Sequence, residues 1–425
     1  LPLLLAGLAV LAVAVTYPVA GVVIAFLAAP LELYALPLPT GSLSLAEGVF
    51  VCVGAAYLVR LLFRPEGLVR PGISDLPYAA LLGVIAIGFA HATQPAPIVR
   101  VLLLWALFYL VYLQVQSFSP AEMRTVCKAL TVGAGVLGAI GAAQYVATGG
   151  GGLYAGGAGA SVRAVGTFGS EVGDSNYYAA FLQFGALPGV AMLIAAPRRN
   201  LWLAPFLALA ITGLAFSLSR GGMLGFATGI LLLLVLWPRA RWAVGVCATV
   251  LVALTIAGAN PLLGSEAVEV VGERLSSIGE TGNTSTNRRP ELFAAAAEMT
   301  VEHPFFGIGV NQFSEHSAQR GMTERGLPHE TAHNVYLSLS AETGLLGFGA
   351  FLLFCGFVAR RAVAAMSSRV AEDRTFAYGL AGALLGFAMQ GMTVSLNRNN
   401  LLWVTFLVIA GLLVALGGRA AAAER

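Results

Sequence analysis

Pro328-His329-Glu330-Thr331-Ala332-His333-Asn334-Val335-Tyr336-Leu337-Ser338-Leu339 is the boundary that decides how this chain is read. From Asn260 to His333 the sequence is a long polar island. From Asn334 onward it turns apolar. The island holds four of the five histidines (His303, His316, His329 and His333) and no cysteine. Apolar runs near 242–259 and 334–358 flank it, each close to the ~20 residues that cross a bilayer.

Working outward, the same kind of run recurs near 2–29, 45–63, 77–91, 97–116, 122–147, 175–196, 200–217, 221–237, 374–395 and 399–417. Composition agrees: 58% of residues are hydrophobic and 11% charged, against roughly 25% charged in a soluble domain. The expected fold is therefore an all-α polytopic membrane protein, with about twelve transmembrane helices and a large, partly helical loop. Pro18 inside the first run makes it either one kinked span or two short ones. That run is too long for a signal-peptide core and has no basic start.

Charge gives the orientation. With the C-terminus in the cytoplasm, the inner side receives Arg60, Arg64, Arg70, Arg124, Lys128, Arg198, Arg199, Arg239, Arg241, Arg360, Arg361, Arg369, Arg374, Arg419 and Arg425. That is 15 of the 24 basic residues, as the positive-inside rule expects. Counting the first run once, both termini are cytoplasmic. The polar island, the Gly-rich loop 149–173 and the turn 218–222 then face outward. Three regions follow: helices over 1–259 with that loop and turn, the outer loop 260–333, and helices over 334–425. Cys52, Cys127, Cys247 and Cys355 all fall in apolar runs and read as small core residues, not as a disulfide framework. The island carries ten glutamates against five arginines, which excludes a nucleic-acid surface.

Inside the island, Pro290 suits the first turn of a helix. Leu292, Ala295, Ala296 and Met299 share one face at helical spacing. The helix is expected to end near His303-Pro304, because a residue before proline leaves the α region. A turn at Phe306-Gly307-Ile308-Gly309 follows.

Arg220, in Ser217-Leu218-Ser219-Arg220-Gly221-Gly222, sits in a turn too short to hold it far from the bilayer. It either reaches the interface or helps form an anion site at headgroup depth, where Gly221 and Gly222 let backbone amides approach phosphate. Arg288-Arg289 and Arg163 are candidate partners, since guanidinium forks match phosphate oxygens. His329-Glu330-Thr331-Ala332-His333 fits the zinc-hydrolase pattern H-E-x-x-H, which needs both imidazoles on one helical face. Gly326 and Pro328 argue that a helix starts inside the motif and not before it. The other reading makes His333 a base: a neutral imidazole with pKa near ~6.5 can take a proton from an attacking sugar hydroxyl. A helix-capping histidine without chemistry is the third reading.

Three pieces in order resemble the O-antigen ligase superfamily, which also holds O-antigen polymerases and bacterial protein O-oligosaccharyltransferases. They are Ser219-Arg220-Gly221-Gly222; Arg289-Pro290-Glu291-Leu292-Phe293 continuing to His303-Pro304-Phe305-Phe306-Gly307-Ile308-Gly309; and Ala332-His333-Asn334-Val335-Tyr336-Leu337 with Glu342-Thr343-Gly344-Leu345-Leu346-Gly347. They span about 217–350. Arg163 to Gly166-Thr167-Phe168 and Asn176-Tyr177-Tyr178-Ala179 extend the resemblance upstream. Phe293 departs from a position where the family often has tryptophan, and the doubled Arg288-Arg289 leaves the choice of arginine open.

The resemblance implies an undecaprenyl-diphosphate-linked glycan donor, a lipid A-core acceptor and a site on the periplasmic face of the bacterial inner membrane. It implies Arg220 and Arg289 on the diphosphate, with Arg163 and Arg288 as further candidates, and His333 as base. No cofactor or metal is expected: diphosphate is already a good leaving group, and fixed cations can take up its developing charge. The chain stops at 425, soon after its last apolar run, which within the resemblance favours ligase over protein O-oligosaccharyltransferase. A polymerase uses a second polyprenyl-linked glycan as acceptor. A lipid-linked glycan transporter is the non-enzyme reading, but transporters concentrate buried charge near the midplane.

Overall fold

A computed structural model of the chain describes residues 2–32, 34–38, 41–90, 92, 94–147, 163–168, 174–237, 241, 289–324, 327–328 and 331–423. The expected span at 242–259, most of the loop 149–173, and Arg288, His329 and Glu330 lie outside the described residues.

The apolar runs become helices. The first is broken at Tyr17 into α1 (Pro2–Thr16) and α2 (Pro18–Leu27), because Pro18 cannot continue the hydrogen-bond ladder. At 1.5 Å per residue neither piece reaches the ~30 Å of a hydrocarbon core alone. A short antiparallel hairpin, β1 (Ala35–Leu38) and β2 (Gly41–Ser44), leads into α3 (Leu45–Phe63). Ser44 and Glu47 form a reciprocal capping box at that start. Then come α4 (Leu76–Gly88), α5 (Pro95–Gln116), α6 (Pro120–Ala147), α7 (Ser175–Ala195), α8 (Ala204–Phe216) and α9 (Arg220–Leu236). The island contributes α10 (Arg289–Glu302), α11 (Phe313–Gln319) and a two-residue hairpin, Thr323–Glu324 with Leu327–Pro328. The chain closes with α12 (Val335–Met366), α13 (Ala371–Gly391) and α14 (Asn400–Ala423). Among the described residues, seven helical stretches are long and apolar enough to cross a membrane.

Helix α14 is the post of the bundle. Every residue from Asn400 to Val414 is buried, so this helix is apolar on all sides. It packs on α5, α12 and α13. Trp403 stacks on Trp105 with ring centroids 4.2 Å apart. The Trp403 indole N–H donates to the Tyr78 hydroxyl at 3.2 Å, and that hydroxyl donates to the Trp105 carbonyl at 3.3 Å. The polar tips of Trp403 and Tyr78 are thereby satisfied.

Helices α9 and α13 approach through small residues. Gly225 and Gly229 face Gly382 and Gly386, and a Cβ on Gly386 would lie 2.6 Å from the Gly225 carbonyl oxygen. This is the small-xxx-small contact that lets membrane helices pack backbone to backbone.

Helix α12 is interrupted at Gly344, whose φ of 63° and ψ of −174° belong to no helix. The loop 304–309 fills the break. Leu345 N–H donates to the Pro304 carbonyl at 2.7 Å, Ile308 N–H to Ala341 at 2.9 Å and Gly309 N–H to Glu342 at 3.0 Å. A broken helix in lipid needs such substitutes for its freed backbone groups. Helix α10 ends at Glu302, as the proline predicts. Its four apolar residues join Ile308, Phe313, Ala332 and Ala341 in a second small core.

Candidate functional site

Helices α7, α9 and α12 begin at one end of the bundle, each with a polar cap. Asp174 accepts from the N–H groups of Asn176 and Tyr177. Ser219 accepts from Gly222 N–H at 3.1 Å. Asn334 accepts from Tyr336 and Leu337 N–H at 2.9 and 3.1 Å. Side-chain oxygens at these positions satisfy donors that the first helical turn leaves over.

The caps are tied to one another. Ser219 Oγ donates to Asn176 Oδ1 at 2.9 Å. Gln390 Nε2 donates to the Asn176 carbonyl at 2.8 Å, and Gln183 Nε2 donates to Gln390 Oε1 at 2.7 Å. Tyr177 donates to the Ser395 carbonyl at 3.4 Å, while Asn334 N–H donates to Ser395 Oγ at 3.1 Å. A continuous polar path thus runs from the turn before Arg220, through Asn176-Tyr177, to the residue after His333. Gln183 and Gln390 are fully buried. Leaving such amides unpaired in a low-dielectric interior is costly, so the network holds the three helix starts in one arrangement.

The arginines gather here. Arg220 is the first residue of α9 and Arg289 the first of α10, and both are half-buried. Burial pushes the Arg289 guanidinium below its usual range; repulsion from Arg220 adds to this, and Asp174 opposes it. Two guanidinium groups far apart in sequence are therefore close enough to repel. Arg163 has a different place: its Nε donates to the Ser217 carbonyl at 3.1 Å and its Nη2 to Leu218 at 3.3 Å. It braces the C-terminal end of α8, where a cation is favoured, and so supports the turn that carries Arg220. Arg288 lies outside the described residues.

The expectation about the histidine helix needs correction, and one of the two glycine amides is already committed within the cap. Gly222 N–H is already engaged by Ser219, and a Cβ on Gly222 would sit 2.5 Å from Ala179 Cβ. A Cβ on Gly221 would crowd Thr393. These glycines serve helix packing. The helix after the His-Glu-Thr-Ala-His motif begins at Val335, after the motif and not inside it, and His333 itself has φ of 51°. Residues 331–334 are not helical, so the one-face spacing of a zinc-binding helix is missing at His333. Among the described residues no three His, Cys, Asp or Glu side chains gather as a metal cage. The left-handed backbone of His333, rare for a residue with a Cβ, is braced by its N–H on Thr331 Oγ1 at 3.3 Å.

The other described island groups are engaged elsewhere. Arg320 pairs with Glu302. The His303 and His316 rings meet edge to face at 6.3 Å. A buried ion pair, Glu342 with Arg398 at 2.6 Å, lies beside the break in α12. Sequence reasoning passed over that pair and the Gln183–Gln390 contact. The signal was present: a glutamate and two glutamines inside apolar runs, each a marker of function or built-in polarity in a membrane.

An O-Antigen ligase family model matches residues 205–352, from the start of α8 into α12. A chain of a solved structure described as "Structural coordination of polymerization and crosslinking by a peptidoglycan synthase complex" aligns at 16% identity with a TM-score of 0.45. The alignment covers 81% of this chain and 97% of that one. No curated protein matches the chain. The match over residues 205–352 encloses Arg220, Arg289 and His333, and it supports the O-antigen ligase/polymerase superfamily for this chain.

Proposed function

We propose that the chain is an inverting glycosyltransferase that moves an O-antigen glycan from undecaprenyl diphosphate to a lipid A-core sugar hydroxyl, at the periplasmic face of the inner membrane. One observation supports this most: Arg220 and Arg289, from two separate motifs and at the starts of α9 and α10, are near enough for their charges to act on one another, with Asp174 also within electrostatic reach of Arg289. Like charges held together in a partly buried place are costly, and a diphosphate relieves that cost.

In this reading an imidazole nitrogen of His333 takes the proton of the acceptor hydroxyl. The oxygen attacks the anomeric carbon as its bond to the diphosphate oxygen breaks, so the configuration inverts. The electron pair leaves on the diphosphate, where Arg220 and Arg289 stabilise the developing charge. Arg163 acts through the turn it braces. The leaving group is already activated, so the step uses no metal and no general acid.

The test is transfer by purified protein from a polyprenyl-diphosphate glycan to three acceptors: lipid A-core, a second polyprenyl-linked glycan, and a protein. Transfer to lipid A-core that survives a chelator is expected. Transfer only to the second glycan makes the chain a polymerase, and transfer only to protein makes it an oligosaccharyltransferase. Loss of all transfer with chelator overturns the metal-free mechanism.

A further inference from the structure

The end of the bundle opposite Arg220 carries a second group of cations. Arg124 and Lys128 lie one helical turn apart on α6. Arg198 and Arg199 lie in the turn Pro197–Asn200 between α7 and α8. Helix α6 packs on both α7 and α8, and α7 packs on α13, whose first turn brings Glu372 and Asp373. The acids are already shared out. Glu372 takes Arg124 Nε at 3.4 Å and Arg199 Nη1 at 3.6 Å, and Asp373 takes Arg124 Nη1 at 3.2 Å. Glu122, the acid of α6, accepts from the Ser119 N–H at 2.7 Å. Lys128 and Arg198 make no ion pair among the described residues. Arg199 and Arg124 repel Lys128 while Glu372 attracts it, so the group keeps an excess of positive charge.

Depth says what covers that excess. Helix α6 has 28 residues, roughly 42 Å of rise against a ~30 Å hydrocarbon core. Centred on the core, it overhangs by roughly 6 Å at each end. Lys128 stands roughly 12 Å from the helix start, so its backbone lies inside the hydrocarbon and its amine must reach outward to the headgroups. Lys128 Nζ is 6.0 Å from the centroid of the Trp202 ring, a cation–π distance. Trp202 and Leu201 are exposed, and tryptophan favours the membrane–water interface. A lipid phosphate is held at this same level, with its acyl chains beside those two side chains. A free anion in water has no such tether.

We infer that this face seats the phosphate of an anionic phospholipid, in the leaflet opposite the Arg220 site, and that the lipid joins α6 to the turn between α7 and α8. Lys128 and Arg199 are its main contacts.

The experiment uses the full chain in phosphatidylcholine vesicles containing either brominated phosphatidylglycerol or brominated phosphatidylcholine. The readout is quenching of Trp202, taken as the part of the fluorescence that Trp202→Phe removes. Brominated phosphatidylglycerol should quench at a lower mole fraction than brominated phosphatidylcholine. A basic residue near an anionic surface is worth ~1 kcal/mol, about fivefold in affinity. Lys128→Gln and Arg199→Gln should therefore each weaken the preference about fivefold, and the paired variant about 25-fold. Lys128→Arg keeps the charge and should keep the preference. So should Arg64→Gln, which removes an exposed cation at the same end of the bundle, at the close of α3. Millimolar inorganic phosphate should not displace the lipid. Equal quenching by the two lipids, a preference retained in the paired variant, or displacement by inorganic phosphate overturns the inference.

Discussion

Replacing Gly344 by alanine tests how the polar island is locked to the membrane helices. Gly344 has φ of 63° and ψ of −174°, a region open essentially to glycine alone, where a Cβ costs about 1–3 kcal/mol. That Cβ would also lie 2.5 Å from the carbonyl carbon and oxygen of Phe305. The loop must then move, which strains three bonds: Leu345 N–H to Pro304, Ile308 N–H to Ala341 and Gly309 N–H to Glu342. Each contributes about 1 kcal/mol net. Losing one or two of them with the backbone strain sums to about 2–5 kcal/mol. The loop joins α10, which carries Arg289, to α12, which His333 precedes, so transfer should fall with stability. Gly349→Ala is the control, on the same helix with nothing within 4 Å of its Cβ. The assay is the thermal unfolding midpoint in detergent, with glycan transfer at matched expression. Gly344→Ala should melt well below Gly349→Ala and transfer at least tenfold less. Equal midpoints for the two variants would refute the lock.

Three further outcomes are expected. Glu342→Ala leaves the Arg398 cation partly buried without its partner and should destabilise by about 3–5 kcal/mol; replacing both residues with methionine should recover most of that loss, read by the same melt. His333→Ala should abolish transfer while Glu330→Gln is tolerated and EDTA has no effect; a dead Glu330→Gln with chelator sensitivity would favour metal chemistry instead. A reporter fused after Arg425 should behave as cytoplasmic, and a periplasmic signal would invert the proposed topology.

Most helices were legible because a bilayer demands long apolar runs. The runs at 45–63 and 175–196 match α3 and α7 within a residue. The end of α12 was missed, since Arg360 and Arg361 stop the hydropathy signal at 358 while the helix runs on to Met366. Arg361 lies over the Phe357 ring at 5.4 Å, so the charge is accommodated on the helix surface. The break at Gly344 was hidden because Gly-Leu-Leu-Gly reads as ordinary apolar helix; only the loop 304–309, forty residues upstream in sequence, reveals it. Within the proposed site, the motifs single out the arginines and His333 as candidates, and the match over residues 205–352 encloses Arg220, Arg289 and His333. Arg163's use as a brace, and the packing role of Gly221 and Gly222, depend on tertiary neighbours that spacing does not encode.

The central claim is that Arg220 and Arg289 act together on one diphosphate. A planar guanidinium fork is not copied by lysine, and a charge-assisted contact at a preorganised anion site is worth about 2–4 kcal/mol in the transition state, roughly 30- to 1000-fold in rate. The direct measurement is glycan transfer from a polyprenyl-diphosphate donor by Arg220→Ala, Arg289→Ala and both conservative lysine variants, at matched expression. Each alanine variant is expected to lose roughly 30- to 1000-fold and neither lysine variant to be silent, while Arg320→Ala, paired with Glu302, loses little. Near-normal transfer by Arg220→Ala would contradict the account.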